Sequence, residues 1–291
     1  MSMSQVGGVN VQITGAGAHT VLLLHGFSDN LHTWHRVVPA LAVRHRVIAI
    51  DLPGHGASTR AWNEPLLDSY VSTIEALLDE LGIDEPISIV GNSMGAATAA
   101  YAASRLADRV DRVVLIGMPG VDSVPLIWRA AVSRPTAAAM RTALRPVPVP
   151  RLQRGFGWVY AHAASPRPSR IDPHTVSDFG NAYADRERFN ALPRLARALL
   201  ADLRRVRLDE VLQRLEVPAL QVWGKHDRLV PSRHARSQIN AVVLAGCGHC
   251  PQLDSPARLL DVIVPFLEGS GPAARPETAA REGGVTRAAR S

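Results

Sequence analysis

Several short runs in this chain are apolar at nearly every position, and they constrain the fold most. "VLLL" (21–24), "VIAI" (47–50), "ISIV" (87–90) and "VVLI" (113–116) show almost none of the apolar–polar alternation of a strand with one wet face. Strands covered on both faces read this way, and covering both faces of a sheet requires helices. The runs predict strands at 9–14, 19–26, 45–52, 87–93, 112–118, 219–224 and 240–246. Amphipathic stretches between them predict helices near 66–82, 94–107, 208–215, 232–239 and 255–268. The expected class is α/β, with a mostly parallel central sheet flanked by helices.

One connection breaks the alternation. Residues 121–214 hold helix-like blocks such as "PLIWRAAVS" and "RLARALLADLRRV" but no clear strand. This is far too long for an ordinary loop, so it reads as an inserted helical cap domain over one end of the sheet. The expected organisation is a core in two parts, 1–120 and 215–268, with the cap between them. A Gly-, Ala-, Pro- and Arg-rich stretch at 269–291 reads as a disordered tail.

Charge and cysteine content remove several function classes. The formal net charge is +6, but no zinc-finger spacing or aromatic RNA-binding strand accompanies it, so nucleic acid is not the expected partner. No uncharged apolar run reaches the roughly 18 residues of a membrane span. The first twenty residues lack a secretory pattern. Two cysteines in 291 residues cannot form a disulfide framework. The expectation is a cytoplasmic protein acting on a small molecule, with its oligomeric state open.

The chemistry gathers around "SIVGNSMGAATAAY", which carries Gly91, Ser93 and Gly95 as G-x-S-x-G between an apolar run and an Ala-rich helix. That context suits a nucleophilic serine raised on a tight strand-to-helix turn, with small neighbours letting strand and helix approach. The N-terminus of the following helix adds oriented N–H groups and positive dipole.

"LLLHGFSDN", "AIDLPGHGAS", "GNSMG", "WGKHDRLVP" and "GCGH" occur in that order over about residues 20–255. Together they resemble the successive signatures of the α/β-hydrolase family, whose members carry a cap where residues 121–214 intervene. The resemblance implies Ser93 as nucleophile, Asp227 as acid and His249 as base, in the chain order of that fold. A carboxylate at the C-terminal end of a parallel strand also faces the same rim as Ser93. Asp122 is the alternative acid, while Asp254 reads as a surface or helix-capping residue. The backbone N–H groups of Met94 and, by family counterpart, Phe27 are the expected oxyanion hole. His25 and His55 read as positioning residues, and His226 should point elsewhere. No metal or organic cofactor is needed.

"CGHC" also resembles a redox centre, but its place after the last strand favours His249 as the functional residue and Cys247 and Cys250 as packing. A reversible disulfide between them is a lesser possibility. The set implies a serine hydrolase acting on carboxylic esters, thioesters or lactones of a small apolar acyl group. Three other readings stand beside it. They are a C–C bond hydrolase of aromatic ring-cleavage products, a cofactor-free haloperoxidase or perhydrolase, and a non-catalytic binding protein. Serine in place of aspartate disfavours epoxide opening and dehalogenation. "HGFSDNLHTW" and Cys250 depart from the C–C hydrolases, which carry a richer Gly/Pro loop and a Trp after the histidine. The insertion holds seven of the fourteen aromatic residues, so Trp128, Trp158 and Tyr160 are expected to line the pocket. Its sixteen arginines against eight acids also offer a cation for an anionic substrate group.

Overall fold

The computed structural model describes residues 2–120, 130, 132–181, 183, 185–232 and 240–270. Eight strands form one sheet: β1 (Ser2–Val6), β2 (Val9–Thr14), β3 (Thr20–Leu24), β4 (Arg46–Ile50), β5 (Ile87–Asn92), β6 (Val110–Ile116), β7 (Ala219–Gly224) and β8 (Asn240–Leu244). Their spatial order is β1-β2-β4-β3-β5-β6-β7-β8. The β1–β2 and β2–β4 pairs are antiparallel and all others parallel. The expected α/β class is the observed one. β1 was not anticipated: "MSMSQV" lacks a large apolar face. It pairs with β2 through a hairpin at Gly7 and Gly8, both at positive φ, where Gly-Gly suits the required backbone.

The unbroken apolar runs are explained by the two faces they serve. Along β3, Leu22 and Leu24 pack into one core, while Val21 and Leu23 pack into another on the opposite face. The short helix α1 (Val38–Leu41) lies under the second face. The first core is closed by α2 (Leu66–Glu80) and α3 (Met94–Arg105). The segment between β6 and β7 holds α4 (Arg134–Leu144), α5 (Val149–Ala164), α6 (Pro173–Asn181), α7 (Arg186–Arg205) and α8 (Leu208–Gln213). α9 (Pro251–Asp254) and α10 (Pro256–Leu267) follow β8, and Leu259, Ile263 and Phe266 of α10 complete the second core. Most of the helix expected at 232–239 and of the tail expected at 269–291 lies outside the described residues, as do Asp122 and Trp128.

In α5 the buried face carries Leu152 in the first turn and then three small residues, Gly157, Ala161 and Ala164. A Cβ on Gly157 would sit 2.3 Å from Val176 O of α6, so this face brings two backbones into contact.

Candidate active site

The C-terminal ends of β3, β5, β6 and β7 and the loop after β8 meet at one rim. β5 runs into Ser93, which holds φ 53 and ψ −115 as the N-cap of α3. This is a costly backbone for a residue with a Cβ, of the kind that persists when its surroundings fix it. They do so here. Ser93 N–H donates to Ile116 O at 2.8 Å. A Cβ on Gly91 would meet Gly95 O at 2.2 Å, and one on Gly95 would meet Leu24 O at 2.3 Å. Both glycines of the motif are therefore set by backbone-to-backbone approach.

His249 and Asp227 are buried and paired, His249 Nδ1 to Asp227 Oδ2 at 2.8 Å. An ionised carboxylate only accepts, so Nδ1 carries the proton and Nε2 keeps its lone pair. The other oxygen, Asp227 Oδ1, accepts from Leu229 and Val230 N–H, both at 2.8 Å. Gly117, at φ 54, leaves room for the pair: a Cβ there would lie 3.1 Å from His249 Nδ1 and 3.2 Å from Asp227 Oδ2.

Asn92, unnoticed in the sequence, joins this pair to the serine turn. It is fully buried, and its Nδ2 donates to His249 O at 2.9 Å. The residue before Ser93 thus holds the main chain of His249. Ser93 Oγ makes no hydrogen bond among the described residues, so its link to His249 Nε2 is not closed in this arrangement. Such contacts often tighten only when substrate binds.

Met94 follows Ser93 directly, and Phe27 follows Gly26, which lies against Ser93. Neither backbone N–H has a protein acceptor among the described residues, and Met94 is the first residue of α3, where N–H groups have no intrahelical partner. A Cβ on Gly26 would lie 3.3 Å from Ser93 Cβ, which brings the Phe27 turn against the serine. Below it, His25 Nε2 accepts from Leu52 N–H at 3.0 Å and its Nδ1 donates to Gly26 O at 2.7 Å. Burial lowers the His25 pKa against the raising pull of Asp51. His55 is buried edge-on to both His25 and Phe27. Burial, and then the neighbouring His25, hold it neutral. His226 is exposed and points away.

Three expectations are corrected. Asp254 is neither a surface residue nor the cap of α10. Its carboxylate accepts from Gly248 N–H at 2.6 Å and from the Ser165 hydroxyl, tying the histidine loop to the inserted segment. Trp158 does not border the cavity described below. It is 59% exposed and stacks on His162, because the adjacent Gly157 lies on the buried face of α5. Tyr160 turns inward, its ring against Phe179 at 4.6 Å and its hydroxyl beside Cys250. The arginines with placed contacts near the rim are occupied: Arg186 with Leu144 O and Val147 O, Arg188 with Gly56 O and Ser58 O, Arg197 with Val132 O.

Cys247 and Cys250 are free and buried. Burial pushes the Cys247 thiol up to about 11 and the Cys250 thiol well above its usual range, which keeps both protonated and poorly nucleophilic. A cavity of about 300 Å³ opens between the loop after β4 and the start of α7, against Gly54, Trp62, Tyr183, Arg188 and Leu195. Ser93 and His249 do not border it.

Sheet order and rim geometry define an α/β-hydrolase fold. A family model for the alpha/beta hydrolase fold matches residues 19–256, and the chain belongs to that family. It is 31% identical to an uncharacterised protein of Mycobacterium tuberculosis, over 93% of this chain and 81% of that one. It is 29% identical to a 2-hydroxy-6-oxononadienedioate/2-hydroxy-6-oxononatrienedioate hydrolase of Cupriavidus pinatubonensis, over 87% and 88% of the two chains. The crystal structure of a mutant of the meta-cleavage product hydrolase CumD superposes with a TM-score of 0.69 at 26% identity, covering 92% of this chain and 98% of the other.

Proposed function

We propose that this protein is a serine hydrolase that cleaves carboxylic esters, with thioesters and lactones by the same route, through an acyl-enzyme on Ser93. The observation that carries the reading is the buried His249–Asp227 pair held at 2.8 Å and tied by Asn92 to the strained turn that presents Ser93. With Nδ1 protonated toward Asp227, His249 Nε2 is the free base. It takes the Ser93 proton as Oγ attacks the acyl carbon, and Asp227 stabilises the resulting imidazolium. The Phe27 and Met94 N–H groups receive the oxyanion, each worth roughly 3 kcal/mol of barrier. His249 then protonates the leaving alcohol, and a water activated by the same imidazole releases the acid.

In this reading residues 121–214 form a cap over the site, with Tyr160 facing inward. The buried, unpaired thiols suit a reducing, cytoplasmic setting; among the described residues no helix is long and apolar enough to cross a membrane.

A second reading, hydrolysis of a C–C bond in a ring-cleavage product, is favoured by the similarity to hydrolases of that kind. Against it, Arg188, the one arginine bordering the described cavity, is bonded to the backbone carbonyls of Gly56 and Ser58. A panel of nitrophenyl esters of graded acyl length, run beside a 2-hydroxy-6-oxodienoate, separates the two. The ester reading expects turnover of short esters that is lost in Ser93→Ala and outpaces the dienoate. The reverse order hands the site to C–C cleavage, and no turnover of either by folded protein removes both.

A further inference from the structure

The loop that carries Phe27 also carries a buried carboxyl that nothing in the hydrolytic machinery uses. Asp29 is 1% exposed. Its Oδ1 accepts from Asn30 N–H at 2.8 Å, but its Oδ2 is buried with no partner at full hydrogen-bond distance, the Thr33 side chain being the other donor that faces the carboxyl. The nearby Asp51 shows the contrast: its carboxylate takes Leu31 N–H, Asn10 Nδ2 and Ala57 N–H at 2.7–2.8 Å. A buried carboxyl oxygen left empty costs free energy unless something arrives to fill it.

A second orphan stands beside the first. The hydroxyl of Tyr183, from the inserted segment, interacts with the Ser28 side chain and lies near Asp29, and it is likewise buried with no partner at full hydrogen-bond distance. One group can only accept when ionised, while the other can donate. A hydroxyl satisfies both at once, donating to Asp29 Oδ2 and accepting from Tyr183; an ammonium would leave Tyr183 without an acceptor. The flanking Asp51 and Asp178 disfavour an anion here. Tyr183 also forms one wall of the 300 Å³ cavity, which Asp29 itself does not border.

We propose that Asp29 and Tyr183 are specificity-determining residues that hold a hydroxyl group on the substrate, so that the enzyme selects hydroxy-substituted esters. The inference rests on the ester-hydrolase reading and adds a substrate class to it. Burial raises the Asp29 pKa to about 7, so the carboxyl becomes a stronger acceptor as it ionises near neutrality. The groups facing it are Asp51, Asp178, Thr33, Tyr160, Tyr183 and Cys250. Burial moves the two tyrosines and the thiol upward, away from that range.

The test compares three nitrophenyl butanoates: unsubstituted, hydroxy-substituted at successive positions, and the matching methyl ethers, which keep size but lose the donor. Wild type should favour at least one hydroxy ester over its methyl ether by about tenfold in kcat/KM. That ratio should rise between pH 6 and 8 and fall toward one in Asp29→Leu. Asp29→Asn, which keeps the shape, should at least halve it. A ratio near one for every position in wild type, as expected if water alone fills the site, would overturn the inference. So would a tenfold ratio that survives in Asp29→Leu or Asp29→Asn. Failure of the underlying reading looks different: Ser93→Ala would then hydrolyse the unsubstituted ester as fast as wild type.

Discussion

The sheet rim and the inserted helical segment are built by different rules. At the rim, position is fixed by backbone. Gly91, Gly95 and Gly224 each lie so close to a neighbouring main chain that an added Cβ would sit 1.9–2.3 Å from a carbonyl oxygen, and Ser93 is held where its φ alone would not keep it. The insertion is attached by apolar packing of Leu195, Leu199 and Leu203 into the first core and by separate polar ties. Ala164 O accepts from His249 N–H at 2.6 Å, Asp178 O from Asn30 Nδ2 at 2.9 Å, and Asp202 Oδ2 from Leu67 N–H at 2.7 Å. Reacting groups need sub-ångström placement and sit on rigid elements, whereas selection of a substrate tolerates an adjustable roof.

If that contrast holds, the largest losses come from the rim. His249→Ala should lower kcat by at least about 10³-fold with the fold intact by circular dichroism; a loss under tenfold would break the contrast at its strongest point. Asn92→Ala removes the tie between the serine turn and His249 O without touching either reacting group. Misplacement of this kind costs roughly 10- to 100-fold in kcat, with KM little changed, as steady-state kinetics on one ester would show.

Asp29 lies on the boundary between the two regions and sharpens the comparison through pH. Burial raises its folded pKa to about 7, above the 3.8 of an ordinary aspartate. The folded state therefore holds a proton that the unfolded chain gives up, and stability falls as pH rises from about 4 to 7. The full penalty is at most roughly 4 kcal/mol. Asp29→Asn should gain on wild type across that interval and be the more stable protein at pH 8 by urea denaturation; parallel curves would show that Asp29 is ionised throughout. The smallest effect belongs to the outer face of the insertion. Trp158→Ala should change stability by under about 0.5 kcal/mol and leave kcat/KM unaltered, and a large loss of activity would return Trp158 to the pocket.

The parts of the molecule that were legible in the sequence share a cause. Strands covered on both faces must be apolar throughout, and a serine on a tight turn needs its glycines, so "VLLL" and "GNSMG" announce themselves. β1 stayed hidden because an edge hairpin needs no large apolar side chains, although Gly7-Gly8 marked its turn. Asn92 went unread and Asp254 was read as a surface or capping residue, because a polar residue in a loop looks the same whether it meets water or a buried partner. Trp158 misled for a related reason. Aromatic content suggested a lining, but where two helices touch through Gly157 and Ala161 the small residues mark the inner face. The catalytic roles of Ser93, Asp227 and His249 remain the proposal that the geometry supports.

That proposal is tested most directly by treating the protein with a fluorophosphonate and reading the intact mass and the labelled peptide. The account predicts a single adduct on Ser93 in wild type, none in Ser93→Ala, and labelling slowed by at least about 10³-fold in His249→Ala. Folded wild-type protein that takes no label, or takes it at another residue, would contradict it.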